Sequence, residues 1–459
     1  MRLSSFAAVG VFTVGGALAP AVQANPGNPL TPAIRVATVP GQPYLAYASL
    51  ASNPAGEFVV GWPSTSGFPG GVLQSYSPGT SYSAQAFDSV GHALSAPFPT
   101  IYDLALSPVL AADSVGGFTA AWDGYWSLSI SAFARRFTLT GRPLTPETPV
   151  DSLVVDTALA PITPAGCNTS DVGTSPKGQF VVTMGCYFYF PPTSLSKFTA
   201  QIAVQRSFLP DGITVLPGLA PSSEFLAGLY PVSGKNGPVQ WPLTAVAPNG
   251  SFVTAWSNLD LYNGASTIYV RRFNSLGLPL GPEAAVVPSA APVYTNSLSS
   301  DGGLAGIASG APGDGGKVGN YVLAWYAEIP GVYWQDQASY TVQGFDSSNR
   351  PLGPAVSLPT SFTYNNNREM AADAEGNFVI VSDDNQKLTA QFFLANGTAR
   401  TGVITLPVDV SSDFNNSTSF AYQVSCDAAG NITVSWERYQ LTSPQTAETV
   451  IYVQRFAGM

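Results

Sequence analysis

Seven stretches of the chain share one arrangement of apolar and polar positions: GEFVVGW (56–62), GGFTAAW (116–122), GQFVVTM (178–184), GSFVTAW (250–256), GNYVLAW (319–325), GNFVIVS (376–382) and GNITVSW (430–436). A glycine opens each one. An aromatic anchor follows two positions later, and large apolar residues then alternate with smaller or polar ones. That period belongs to a strand with one face buried. The anchors stand at 58, 118, 180, 252, 321 and 378, with Ile at 432, so the gaps run from 54 to 72 residues. Before each glycine lies a short run of small apolar residues, such as SPVLAAD (107–113), WPLTAVAP (241–248) and YQVSCD (422–427). In three repeats this run meets the strand through Asp-x-x-Gly: Asp113 to Gly116, Asp373 to Gly376 and Asp427 to Gly430.

A second pattern follows each of the first: AQAF (84–87), ARRF (134–137), VQRSF (204–208), VRRF (270–273), VQGF (342–345), AQFF (390–393) and VQRF (453–456). The first six reach Gly91, Gly141, Gly212, Gly277, Asn349 and Gly397 four positions past their last Phe. Glycine and asparagine supply the positive φ of a short hairpin turn. A Pro-Leu segment then opens another strand in GRPLTPE, GLPLGPE and NRPLGPA. One repeat therefore reads as four strands, a to d, from the small-residue run to the segment after Pro-Leu. Seven four-stranded repeats predict an all-β, seven-bladed β-propeller with very little helix.

The seventh repeat stops after strand c, and NPLTPAIRVATV (28–39) near the other end is a d strand without a c strand before it. The two are expected to pair and close the ring, which removes an open sheet edge. Ahead of this segment, MRLSSFAAVGVFTVGGALAPAVQA has a basic Arg2, an apolar stretch from Phe6 to Leu18 and small residues at Val22-Gln23-Ala24. It reads as a secretory signal (1–24) cut before Asn25, with a retained anchor as the rival reading. Residues 25–459 then form one domain, exported to the periplasm, the cell surface or the exterior, with no membrane span and expected to be a monomer.

Composition narrows the function classes. Only 10% of residues are charged, and the net charge is −10. No basic field exists to draw nucleic acid or anionic lipid, so nucleic acid is not an expected partner. His92 is the only histidine, which argues against Ser-His-Asp catalysis and multi-histidine zinc sites. The three cysteines lack C-x-x-C spacing, and no metal or other cofactor is expected. Cys167 and Cys186 flank a strand b and are a candidate disulfide, with Cys426 expected as a buried free thiol; three reduced cysteines are the alternative.

These repeats resemble a type common in exported bacterial proteins, with G-x-F-V-V-x-W, Q-R-F and G-x-P-L-G-P segments. The resemblance spans nearly all of residues 28–456 and implies a propeller, in proteins that are largely uncharacterised and carry no activity across. The Asp-x-x-Gly turn is also similar to the Asp-box of sialidases, as shared turn chemistry.

Candidate chemistry should lie where the repeat breaks. The repeated Arg136, Arg206, Arg272 and Arg455 are expected to be structural, with the guanidinium stacked on the strand-b Trp where one is present. Outside the consensus, the b–c connections carry Tyr125 and Trp126, Tyr187 and Tyr189, Tyr262, Tyr333 and Trp334, and Tyr439. Aromatics on variable loops over a rigid ring suit a glycan or protein ligand. A non-enzymatic binding propeller is the leading expectation. A polysaccharide-acting hydrolase or lyase would use loop acids such as Glu224, Asp260, Glu328, Asp336, Asp383, Asp384 or Glu437. A structural surface or matrix component is the third reading.

Overall fold

The computed structural model describes residues 24–40, 48–64, 81–101, 106–126, 129–150, 164–189, 199–212, 224–229, 239–260, 265–287, 304–309, 320–328, 338–358, 370–373, 375–383, 387–410, 421–443 and 446–458. These residues form seven antiparallel four-stranded blades in a ring, and no helix occurs among them. The protein is a seven-bladed β-propeller.

Blade one holds Ser49–Ser52, Phe58–Pro63, Tyr82–Phe87 and Phe98–Ile101 as strands a to d. Blade two holds Leu106–Ala112, Gly117–Trp126, Ser129–Thr138 and Thr148–Pro149. Blade three holds Pro164–Thr174, Phe180–Tyr189, Thr199–Phe208 and Glu224–Leu229. Blade four holds Val239–Val246, Phe252–Asp260, Ala265–Phe273 and Ala284–Val287. Blade five holds Leu304–Ser309, Tyr321–Glu328, Ala338–Phe345 and Val356–Leu358. Blade six holds Met370–Ala372, Phe378–Asp383, Leu388–Phe393 and Ile404–Thr405. Blade seven takes strands a to c from Tyr422–Cys426, Ile432–Ser443 and Thr446–Phe456, and its fourth strand from Ile34–Pro40.

That fourth strand runs antiparallel to the third, from Ile34 opposite Val453 to Pro40 opposite Glu448. The seam is fixed beyond the ladder. Gln454 donates from Nε2 to the Thr31 carbonyl at 2.7 Å, and Gly27 N–H donates to the Ala457 carbonyl at 2.8 Å. Ring closure from the two ends of the chain, expected from the spare strand, is what the fold shows.

Both short turns use one device. Gly56, Gly116, Gly178, Gly250, Gly376 and Gly430 between strands a and b have positive φ, as do Gly91, Gly141, Gly212, Gly277, Asn349 and Gly397 between c and d. In each well-formed case the positive-φ residue donates back three positions: Gly430 N–H to Asp427 O at 3.1 Å, Gly91 N–H to Asp88 O at 3.0 Å. The residue opening the turn also pairs with the one closing it, as Asp427 N–H does with Asn431 O at 2.9 Å. This is the three-residue hairpin loop with a left-handed last residue. Asp or Asn at the first position caps it with its side chain, as Asp88 does for Val90 and His92. His92 is an exposed turn residue beside Asp88.

The blade cores are aromatic. Each anchor of strand b stacks on the Phe of strand c directly opposite: Phe58 on Phe87, Phe118 on Phe137, Phe180 on Phe208, Phe252 on Phe273, Tyr321 on Phe345 and Phe378 on Phe393, with ring centroids 4.8 to 5.3 Å apart. Offset stacks of this kind add about 0.5–1.5 kcal/mol each beyond the area they bury. Three of the strand-b tryptophans stack the same way on an aromatic of strand c: Trp122 on Phe133, Trp256 on Tyr269, Trp436 on Tyr452.

The partners of the repeated arginines correct the expectation of indole stacking. Arg136 pairs with Asp113, and Arg455 pairs with Asp427, both pairs buried. The carboxylate that caps the a–b turn thus takes its counter-charge from strand c of its own blade. Each guanidinium also reaches the next blade. Arg136 donates to the Pro210 carbonyl of blade three at 2.7 Å, and Arg455 donates to the Ser89 carbonyl of blade one. A side chain at Gly178 or Gly56 would collide with Arg136 or Arg455. The Trp faces are already taken by Phe and Tyr, so the arginine goes to the unmet charge. The register also moves one assignment. In blade three the residue before the stacked Phe208 is Ser207, opposite Val181, so Arg206 stands one place out of the arginine position.

Candidate functional site

The ring has two unlike ends. The a–b and c–d turns lie at one end, and strands b and c run out toward the other. There the expected b–c loops are in large part strand. Tyr125 and Trp126 close strand b of blade two opposite Ile130 and Ser129. Tyr187 and Tyr189 lie in strand b of blade three opposite Gln201 and Thr199. Tyr439 lies in the 12-residue strand b of blade seven, opposite Thr449, and is half-buried. These residues sit on long hairpins and not in loops, because their backbone groups keep pairing past the end of the repeated pattern. Tyr262, Tyr333 and Trp334 fall outside the described residues.

The acids separate in the same way. Asp260, Glu328 and Asp383 are the last residues of strand b in blades four, five and six, and Glu224 opens strand d of blade three. Asp336 and Asp384 lie outside the described residues. Glu437 is no loop acid. It is buried in strand b of blade seven and accepts the Ala48 N–H of blade one at 2.7 Å. Asp123 holds the same place after the blade-two Trp and accepts the Thr169 N–H of blade three at 2.5 Å. Asp171 continues the series by accepting the Thr244 N–H of blade four at 3.0 Å. These carboxylates tie each blade to the inner edge of the next, Glu437 and Asp123 from strand b and Asp171 from strand a. Near Glu437, burial pushes the Tyr82 phenol far up, so it stays neutral beside Ser49, 3.1 Å away.

At the turn end, a cavity of about 160 Å³ is lined by inner strands and a–b turns of blades one, two, three, four, six and seven. Its polar lining includes Ser52, Thr174, Asp373, Cys426 and Asp427, and alanines, prolines and Val246 make up the rest. Cys426 is the free cysteine among the described residues and is partly buried. Burial, helped by Asp427 and Asp373, raises its pKa well above the usual thiol range, so the thiolate is scarce at neutral pH and the thiol reacts slowly. No group of three or more His, Cys, Asp or Glu side chains arranged to hold a metal occurs among the described residues. Nothing in the sequence marked this cavity, because its lining comes from six repeats and meets only when the ring closes.

Asp373 differs from the other two turn aspartates. It accepts the Glu375 and Asn377 N–H groups at 2.8 and 2.9 Å and the Asn377 side-chain amide at 2.9 Å. Among the described residues no cation pairs with it, and Phe392 occupies the arginine position of strand c, opposite Val379. Burial raises its pKa above the usual carboxylate value, against the pull of these hydrogen bonds.

No protein-family model matches the chain, and no curated protein does. Among solved structures it is similar to a protein of unknown function from Dyadobacter fermentans DSM 18053, at 11% identity and a TM-score of 0.42 over 92% of this chain and 99% of that one. It is similar to the polysaccharide lyase Uly1 at 10% identity and a TM-score of 0.47, over 88% and 90% of the two chains. The β-propeller domain of the Trilobed protease from Pyrococcus furiosus aligns at 7% identity and a TM-score of 0.42, over 89% and 94%. Such likeness concerns the fold alone.

Cys167 is disulfide-bonded, and Cys186 is its cross-strand neighbour on the a–b ladder of blade three. No helix of the described residues is long and apolar enough to cross a membrane.

Proposed function

We propose that the protein is an exported, monomeric, non-enzymatic binding propeller that recognises a glycan or a protein through the end of the ring where strands b and c project. One observation carries the reading. The aromatics Tyr125, Trp126, Tyr187, Tyr189 and Tyr439 stand on hairpins that outrun the repeat in blades two, three and seven. Ladder pairing holds their backbone in place, so little ordering entropy is lost on binding. Tyr262, Tyr333 and Trp334 belong to the same reading by their place between strands b and c.

A deciding experiment compares the wild type with a Trp126→Ala, Trp334→Ala double variant on a glycan array and in a pull-down from the native exterior. Truncating an aromatic anchor typically costs 2 kcal/mol or more, about thirtyfold in affinity. Loss of capture with an unchanged melting curve supports the proposal, and equal capture rejects it. Turnover of the ligand by the wild type would favour the hydrolase or lyase reading, with Asp260, Glu328 and Asp383 at the strand ends as the acids to test. Export is tested separately, by sequencing the N-terminus of material from the exterior: a chain starting at Asn25 agrees with the proposed cut.

A further inference from the structure

The six described a–b turns pair their first residue with the arginine position of strand c in a consistent way. Blade two has Asp113 with Arg136, and blade seven has Asp427 with Arg455. Blade one has the neutral Asn53 with Ala86, and blade three has Ser175 with Ser207. Blade four has Ala247, and its Arg272 is placed near Tyr321 and Asp346 of blade five. Wherever the turn residue is charged, an arginine answers it, except in blade six. There Phe392 fills the arginine position and is buried in the hydrophobic core. Among the described residues Asp373, a residue 9% exposed, has no counter-charge, whereas Asp113 and Asp427 each have one. Burying an unpaired charge is costly, so its persistence calls for a compensating partner.

Asp373 lines the axial cavity, and the surroundings indicate what could compensate it. Asp427, on the same wall, is already paired with Arg455. Thr174 is also in the lining, with its Oγ1 buried away from the cavity and without a hydrogen-bond partner. Ala112, Ala372 and Val246 add apolar surface to the lining. One carboxyl with no cation beside it and apolar walls suit a hydrogen-bonding cation on an aliphatic stem. A divalent metal would need more oxygen ligands than are gathered here.

We propose that the axial cavity at the turn end binds a primary ammonium group on an aliphatic chain, with Asp373 as its counter-charge. The ammonium comes either from a free small amine or from a lysine side chain of a partner. The site is at the opposite end of the ring from the aromatic hairpins and stands or falls independently of them.

The test titrates the full mature chain with n-butylamine, with n-butanol as a neutral control of the same stem, and with a short acetylated peptide containing one lysine. Binding is read by calorimetry and by the rate at which Cys426, which shares the cavity, is alkylated by a maleimide. The expected result is saturable heat and at least tenfold slower alkylation with an ammonium ligand, and neither with butanol. Asp373→Asn should weaken ammonium binding at least tenfold. This variant is expected to fold, because Asn53 already caps the equivalent turn of blade one. A response to butylamine assigns the site to free amines, and a response to the peptide alone assigns it to lysine side chains. The proposal is overturned if neither ligand binds, if butanol acts like butylamine, or if Asp373→Asn binds the ammonium as the wild type does.

Discussion

Blades six and seven are neighbours built on the same plan, and they treat the same buried carboxylate in opposite ways. In blade seven Asp427 caps the a–b turn, Arg455 neutralises it, and the guanidinium goes on to hold blade one through the Ser89 carbonyl. In blade six Asp373 caps its turn with the same hydrogen bonds, but Phe392 fills the arginine's place. Turn capping therefore needs only an acceptor oxygen, as Asn53 also shows. The arginine answers a different demand, the charge of the acceptor once it is buried. It then serves as the strap between blades, so one ion pair joins turn, blade and ring. Blade three has neither charge, and there a disulfide at Cys167 joins its innermost strand covalently instead.

The largest effect should come from opening the seam that makes blade seven whole. Removing residues 25–40 takes away the strand opposite Thr449 to Val453 and the contacts of Thr31 with Gln454 and Arg455. The expected outcome is a chain that is unfolded or aggregated by circular dichroism and gel filtration. A truncated protein that melts like the wild type and elutes at monomer size would falsify the closing role of this strand.

Next in size is the ion pair itself. Arg455→Met should cost about 3–5 kcal/mol in urea unfolding, because Asp427 is left buried and unpaired. Adding Asp427→Asn should recover a large part of that cost, since the neutral amide still caps the turn. Arg136→Met, alone and with Asp113→Asn, should repeat the pattern in blade two. If the single and double variants are equally unstable, the arginine acts through its contact with the next blade and not through the aspartate.

Blade three offers the covalent counterpart. We expect Cys167 to be bonded to Cys186, its ladder neighbour. A loop of this length is worth about 3 kcal/mol in the chain-entropy picture. Alkylation without reduction should modify Cys426 alone, and the Cys167→Ala, Cys186→Ala variant should unfold at correspondingly lower urea. Modification of all three cysteines in the unreduced protein would rule the pairing out.

Much of this architecture was legible in the chain. Gly91, Gly141, Gly212, Gly277, Asn349 and Gly397 could be read as left-handed turn residues because each stands four places past a strand-ending Phe, and all six have positive φ. The spare strand near Ile34 could be read because it matches other d strands. The arginines were misread for a physical reason. Arg136 lies 23 residues from Asp113 and Arg455 lies 28 from Asp427, and only the strand register brings each pair together. Trp122 was the nearer and more conspicuous partner, but Phe133 had taken its face. Tyr125, Trp126, Tyr187 and Tyr189 looked like loop residues because the repeated apolar pattern stops before them, although backbone pairing does not. The axial cavity left no trace at all, since one to three residues from each of six separate repeats line it.

The smallest expected effect tests the comparison most directly, because it asks whether Asp373 lacks what Asp427 has. Burial raises the folded-state pKa of Asp373 above its unfolded value, about 3.9 for an ordinary aspartate. The folded chain then binds this proton more tightly than the unfolded chain does. Between the unfolded and folded pKa values the native state holds the extra proton, so stability falls as pH rises through that window. Below it both states are protonated and Asp373 has no pH-dependent effect. Above it the full cost of the buried carboxylate is present. Asp373→Asn cannot titrate, so it should match the wild type most closely at low pH and gain on it as pH rises to neutral. Urea unfolding of both proteins at a series of pH values gives the difference directly, with the other titrating groups cancelling. A variant that instead loses ground with rising pH would mean that the Asp373 carboxylate is stabilised in the fold, and blade six would then have a counter-charge of its own after all.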